Sequence, residues 1–577
     1  MPRTFTLCLV VTVALAVLVG CGVKAPDTPA RSAHLGPKPT LDSHVKLAVL
    51  VVFDQMRGDY LQKWQPLFRP DGFVRLQNEG AWFTKCYYPY ATTTTGPGHA
   101  SMLTGTCPDR HGIINNNWHD PNASSDDNEE GTGVYCAGST RYDLVPKNSG
   151  SGKVKLAGNP DRLLSETLAD VLKRESNGHS KVFGLSLKDR SAILPIGKKP
   201  DGAYWFTGHF VTSTYYSDRV HPWVANFNAS GQANQWFGQS WDRFRSDIDY
   251  EKQSGPDSMP GEGKGANQGV MFPHPFSAGL EKVDKKYYDA LANSPAGNDL
   301  LLAFAKTCIK EEKLGQRDVS DLLVVSFSSN DLIGHCWGPD SQEVLDVTLR
   351  SDALMADFLK FLDETVGVGK YAMAVTADHG VCPIPEVAAT KGLDAKHILP
   401  AAAFGALKHL QDTFGGAADT RWLDAVSPPW FYLNRRAVAA SGKSLEEVSR
   451  SLADYLATQS GVARTFTREQ LNAVNSESEE MARIVKRSYH PDRSGDVYML
   501  LKPYYLLGGP TSTGTTHGSP YEYDRHVPLL AFGPGVAGGT KAEAVTPQAA
   551  AAILAQFLGV KPPKEAEFPV PMSLNAK

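Results

Sequence analysis

Five stretches of the chain, Lys46–Phe53, Lys181–Leu187, Asp321–Phe327, Tyr371–Thr376 and Val527–Phe532, are continuous apolar runs rich in β-branched residues. A strand that is apolar on both faces must be covered on both faces, which is the condition of the inner strands of a parallel sheet. Between these runs, Arg162–Glu175, Val347–Val366 and Pro547–Leu558 space their apolar residues three and four apart, the pattern of helices with one buried face. Strands alternating with helices along the whole chain predict an α/β fold, a mostly parallel central sheet flanked by helices. Two regions break the rhythm. Residues 200–300, rich in Trp, Tyr, Gly, Pro and Asn, read as an irregular insertion. Residues 400–510 carry a helical pattern at Leu445–Ala457 and alternation at Val497–Leu501, and read as a smaller cap.

With 42% hydrophobic and 21% charged residues the composition is that of a globular chain, and a formal net charge of −4 lends no support to nucleic-acid binding. The N-terminus says more. Arg3 precedes an apolar stretch, Leu7–Val19, too short for a comfortable membrane span, which closes in Leu18-Val19-Gly20-Cys21. That ending resembles the lipobox of bacterial lipoproteins, whose cysteine is lipidated and becomes the first mature residue. The expectation is a signal peptide over residues 1–20 and a lipid anchor on Cys21 as the only membrane attachment. The expected location is the periplasm or the outer membrane, because Gly22 is not the aspartate that often retains lipoproteins at the inner membrane. Residues 21–45, rich in Pro, Ala and polar side chains, read as a tether, leaving 46–577 for one core domain with its two insertions. The cysteines left after processing, Cys86, Cys107, Cys136, Cys308, Cys336 and Cys382, allow up to three disulfides in an oxidising compartment. None lies in a CxxC pair, which argues against a thiolate metal cluster.

Open parallel sheets bind ligands outside the carboxyl ends of their strands. The first apolar run ends in Asp54 (VVFDQMRGD), and the Asp321 run is followed by SSNDLIGHCWGPD, with Asp331 and His335. The Tyr371 run leads into TADHG, with Asp378 and His379, and GTTHGS ahead of the last run brings His517. Singly each has a bland explanation: an aspartate after a strand commonly caps a turn, and a lone histidine commonly completes a hydrogen bond. Jointly, three carboxylates and three imidazoles suit Zn²⁺ or a similar transition metal better than Ca²⁺, and their number suits two sites rather than one. Asp331 and His335 can meet on one helical turn, and Gly380 lets the backbone turn so that Asp378 and His379 converge.

The stretch ATTTTGPGH fits the same place. Pro97 suits the first position of a helix, which puts Thr95 or Gly96 at its N-cap beside free N–H groups, a ready anion site. Thr95 stands out from Thr92, Thr93 and Thr94 because Gly96 leaves room for a substrate to approach. A hydroxyl held there by a metal has a lowered pKa and can attack phosphorus.

With these residues assembled, the sequence resembles the alkaline phosphatase superfamily, in particular bacterial periplasmic phosphatases with a threonine nucleophile, close to the nucleotide pyrophosphatase/phosphodiesterases. TGPGH matches the T-x-P-x-H nucleophile motif and HGIINNNW the segment whose last asparagine, here Asn116, donates to a phosphoryl oxygen. The resemblance implies two divalent ions: Asp331, His335 and His517 on one, and Asp54, Asp378, His379 and the Thr95 oxygen on the other. It also places Lys188-Asp189-Arg190 at the Lys-x-Arg pair by which monoesterases grip the outer phosphoryl oxygens. A monoester carries one more negative charge than a diester, so two cations favour it, the arginine bidentate and the lysine as a point charge.

Sulfatases of the superfamily take their nucleophile from Cys or Ser followed by x-Pro-x-Arg, which Thr95-Gly-Pro-Gly-His99 does not match. The related phosphoglycerate mutases are cytosolic and use serine. The expected activity is therefore hydrolysis of small phosphate monoesters through a phosphothreonine on Thr95, releasing phosphate for scavenging. A phosphodiesterase or nucleotide pyrophosphatase on the same two-metal site is the alternative, for which the aromatics of YWFTGHF and TSTYYSD could stack a base. A non-catalytic envelope lipoprotein is the third reading, opposed by the intact site residues.

Overall fold

The computed structural model describes residues 43–574 apart from 121–132, 148–156, 278, 400, 418–419 and 510–511, so the leader, Cys21 and nearly all of the tether lie outside the described residues. All five apolar runs enter one ten-stranded sheet. Its middle is parallel, in the order Tyr371–Thr376, Leu47–Phe53, Asp321–Phe327, Val182–Ser186 and Gly202–Phe206. Every residue of Leu47–Phe53 is completely buried, each large apolar side chain there contributing about 1.5–3 kcal/mol. Helices Pro295–Glu312, Gln342–Leu362 and Ala549–Leu558 are largely buried and cover the sheet.

Leu47 pairs with both Asp321 and Tyr371, so three neighbouring strands start level and end nearly level. The loops leaving these strands therefore emerge at one edge of the sheet. The Leu529–Phe532 strand departs from the parallel expectation, running antiparallel to Tyr371–Thr376 and to Ala81–Cys86. Its chain arrives from His517, already at the carboxyl edge, and has only the downward direction left. The Arg162–Glu175 pattern is helical only over Leu168–Glu175, because Thr167 caps it in a reciprocal box with Asp170.

Region 200–300 is less irregular than its composition suggests. Gly202–Phe206 and Phe210–Ser213 extend the main sheet, and Tyr204, Trp205 and Phe210 are buried, with Phe210 stacked on Phe304 at 3.6 Å. These aromatics pack the core and are not free to stack a base. In the 400–510 region, Leu423–Ser427, Trp430–Leu433, Val497–Leu501 and Val462–Thr467 form a four-stranded sheet. Helix Leu445–Ala457 packs on it around Val448, Leu452, Phe431 and Val497, a core separate from that of the main sheet. The disulfide expectation is corrected: all six cysteines are free, five of them buried singly as small apolar side chains.

Candidate active site

The carboxyl edge of the parallel strands gathers every candidate residue. Asp54 directly follows Leu47–Phe53. Asp331 and His335 ride one face of helix Ser329–Trp337, which starts just after Asp321–Phe327, with His335 Nε2 3.2 Å from Asp331 Oδ1. Asp378 and His379 follow Tyr371–Thr376, and the loop carrying His517 brings its Nε2 to 3.6 Å from Asp331 Oδ1. Ligand atoms of Asp54, Asp378 and His379 lie within 4.8 Å of one another, as do those of Asp331, His379 and His517.

Each imidazole is turned by its other nitrogen. Nδ1 of His335, His379 and His517 lies 2.7, 2.9 and 2.8 Å from the carbonyl oxygens of Thr515, Gly380 and Thr93. Only an N–H can donate there, so the Nε2 lone pairs face the cluster, the tautomer a metal ligand needs. Burial, reinforced by His379 and His335, holds His517 well below the usual imidazole range and therefore neutral. Asp54 Oδ1 and Asp378 Oδ2 are buried without hydrogen-bond partners. Burial, and then the neighbouring Asp378, pushes Asp54 well above the usual carboxylate range. Buried carboxylates with orphaned oxygens and inward-facing imidazoles fit divalent cations, since buried charge must otherwise be paired or neutralised.

Thr95 begins helix Thr95–Thr104, so the helix starts two residues before Pro97 and the N-cap is Thr94, one residue earlier than expected. Thr95 Oγ1 lies 3.4 Å from His379 Nε2 and 3.5 Å from Arg190 Nη2. Gly98 permits this approach: a Cβ there would lie 2.3 Å from the Asp378 carbonyl oxygen. The role expected of Gly96 changes. A Cβ at Gly96 would press on Asn116 Oδ1 and Cys136 Sγ, at 3.1 and 3.0 Å, so its bareness makes room for Asn116 rather than for a substrate. The Gly96 N–H donates to Asn116 Oδ1 at 2.7 Å, which fixes the amide flip and leaves Nδ2 to donate elsewhere.

Lys188 and Arg190 part company in their contacts. Arg190 is steadied by Tyr135, whose hydroxyl lies 3.4 Å from Nη1 and donates to Asp189 at 2.5 Å. Lys188 Nζ instead bridges Asp54 Oδ2 at 2.7 Å and Asp331 Oδ2 at 2.5 Å. Burial lowers its pKa, but Asp331 and Asp54 outweigh that and keep the ammonium charged.

Two buried residues take roles that the sequence does not assign, His99 standing there only as part of the TGPGH motif and Gln55 unmarked. His99 holds the helix to the sheet through its Nε2, 2.8 Å from Ser326 Oγ, while its Nδ1 bonds the Thr95 carbonyl oxygen at 2.9 Å. Gln55 sits at φ 70°, a left-handed conformation costing a side chain about 1–3 kcal/mol. In that conformation its N–H donates to Asp378 Oδ1 at 3.1 Å and its Nε2 to Asp331 Oδ1 at 2.7 Å, coupling the two carboxylate groups. Gln55→Ala is expected to weaken divalent-metal binding about tenfold to hundredfold in a chelator competition titration. Unchanged affinity would mean that Gln55 only shapes the loop.

The family described as type I phosphodiesterase / nucleotide pyrophosphatase matches residues 48–520, which takes in every residue of this site. The chain belongs to that family. Within the alkaline phosphatase superfamily, this family member is 35% identical to alkaline phosphatase PhoV of Synechococcus elongatus over 91% of this chain and 92% of that protein. The crystal structure of wild-type alkaline phosphatase PafA matches with a TM-score of 0.84 and 31% identity, over 94% of this chain and 100% of the other. A PafA variant with a threonine, an asparagine, a lysine and an arginine replaced matches with a TM-score of 0.82 and 30% identity, over 92% and 98% of the two chains. The chain order of those four residue types, and the threonine–asparagine and lysine–arginine spacings, are those of Thr95, Asn116, Lys188 and Arg190.

Proposed function

We propose that the chain hydrolyses phosphate monoesters through a covalent phosphothreonine on Thr95 and releases inorganic phosphate. The observation that carries this reading is the setting of Thr95 Oγ1, at a helix N-terminus between His379 Nε2 at 3.4 Å and Arg190 Nη2 at 3.5 Å. The names of PhoV and PafA, alkaline phosphatases both, support the monoesterase reading. The residues replaced together in the PafA variant support the grouping of Thr95 with Asn116, Lys188 and Arg190.

Two divalent ions, zinc being the best match to the oxygen and imidazole donors, would be held by Asp331, His335 and His517 and by Asp54, Asp378, His379 and Thr95. Bound there, they supply the Lewis acidity that favours the Thr95 alkoxide and the departing alkoxide. Thr95 Oγ1 forms a bond to phosphorus as the ester P–O bond on the opposite side breaks. Arg190 holds non-bridging oxygens through its fork, and Asn116 donates from Nδ2, its Oδ1 being committed to the Gly96 N–H. Lys188 adds a second cation to the same site. Water then attacks the phosphothreonine, returning Thr95 and freeing phosphate.

The second reading, a diesterase, takes its support from the family description itself. Hydrolysis of p-nitrophenyl phosphate and bis-p-nitrophenyl phosphate by the zinc-loaded protein separates the two. A monoester preference of about a hundredfold or more in kcat/KM is expected from two cations matched to the extra charge. A diester preference would overturn the proposal.

A further inference from the structure

We infer that the apolar cavity beside His517 receives the alcohol half of the substrate and selects monoesters bearing one aromatic ring, an inference that rests on the monoesterase reading above. The cavity encloses about 190 Å³ between the cap and the main domain, and Thr94, Thr516 and His517 form its wall on the active-site side.

Its position relative to Thr95 assigns it to the leaving group. Thr95 lies against His379, whose ring stacks on His517 at 3.4 Å, while His517 Nε2 faces Asp331. Thr95, His379 and His517 thus form a chain of contacts whose far end borders the cavity, while Thr94 borders it next to the nucleophile. In-line displacement sends the leaving oxygen away from the attacking hydroxyl, and on this assignment that oxygen departs on the His517 side, where the cavity opens.

The walls define the chemistry. Leu500, Leu506, Leu507 and Pro429 supply aliphatic surface, joined by Tyr505, Tyr521 and Tyr523. Two of their hydroxyls donate to protein acceptors, Tyr505 to Asp394 at 2.7 Å and Tyr521 to the Leu501 carbonyl at 2.6 Å, while that of Tyr523 accepts the Tyr504 N–H at 3.2 Å. What the tyrosines chiefly offer a ligand is thus ring surface, which favours an offset or edge-on aromatic partner. An apolar cavity of about 150 Å³ holds benzene, so this one, at about 190 Å³, is matched to a single ring.

The test compares benzyl phosphate with methyl phosphate, whose alcohols leave with similar ease, so that a difference reports ring binding rather than leaving-group chemistry. In the zinc-loaded protein, kcat/KM for benzyl phosphate is expected to exceed that for methyl phosphate by about tenfold or more. In Leu506→Trp, which fills the cavity, that ratio is expected to fall to about one or two, whatever the absolute rates. Should that variant misfold, inhibition of the unaltered protein gives the same comparison: phenylphosphonate is expected to bind about tenfold more tightly than methylphosphonate. Equal kcat/KM values together with equal inhibition overturn the cavity assignment while leaving the monoesterase intact. Failure to release phosphate from methyl, benzyl or p-nitrophenyl phosphate overturns the underlying reading instead.

Discussion

Thr95→Ala is expected to lower phosphate release from p-nitrophenyl phosphate by about a thousandfold or more, because no neighbouring hydroxyl can take over in-line attack. Thr94 Oγ1 is turned to Asn115 Oδ1 at 3.0 Å and Thr93 Oγ1 to the Ser519 carbonyl at 2.9 Å, so neither is placed to substitute. Bound zinc, measured by elemental analysis, is expected to stay near the unaltered level, since Asp54, Asp331, His335, Asp378, His379 and His517 all remain. Thr95→Ser keeps the hydroxyl and should keep most of the turnover. Undiminished activity in Thr95→Ala with zinc retained would remove Thr95 from the mechanism.

Replacing Lys188 and Arg190 together by alanine is expected to cut monoester turnover by about a hundredfold to ten-thousandfold, and diester turnover by less than about tenfold. The asymmetry comes from charge: the transferred group of a monoester keeps one more negative charge for these cations to meet. The contacts of Lys188 supply an internal control. With its ammonium gone from between Asp54 and Asp331, two buried carboxylates lose their compensating charge and bind divalent ions at least as tightly as before. Retained zinc with selective monoester loss is the expected pair of results, read from elemental analysis and parallel kinetics on the two substrates. Equal losses on both substrates would assign Lys188 and Arg190 to holding the fold.

Much of the site is legible along the chain because an α/β sheet concentrates its ligands at one edge. Asp54, Asp331 and Asp378 each stand within a few residues of an apolar run, and runs buried on both faces are hard to mistake. Gln55 is not legible in that way, and His99, legible as part of the TGPGH motif, gives no sign there of its bond to Ser326. Nothing in VVFDQMRGD marks the glutamine as left-handed, and its bonds to Asp331 and Asp378 join segments remote in sequence. Gly96 shows the same gap: its absent side chain suggested an opening for substrate, whereas the neighbour that needs the space is Asn116. In region 200–300, turn-rich composition outweighed two short strands that pair with the main sheet and gain their stability from burial there.

The sequence by itself determined the class of fold, the family and the identity of the residues at the carboxyl edge, because periodicity and short motifs act over a few residues. Only the tertiary structure decided how those residues are set. It turned the Nε2 atoms of three histidines inward through backbone carbonyls, two of them far away in the chain, and separated Arg190 beside Thr95 from Lys188 between Asp54 and Asp331. It left six cysteines unpaired and closed the cap over a cavity beside His517. Each of these depends on distances between elements far apart in the chain, which the packing of sheet, helices and cap sets and local sequence pattern does not encode.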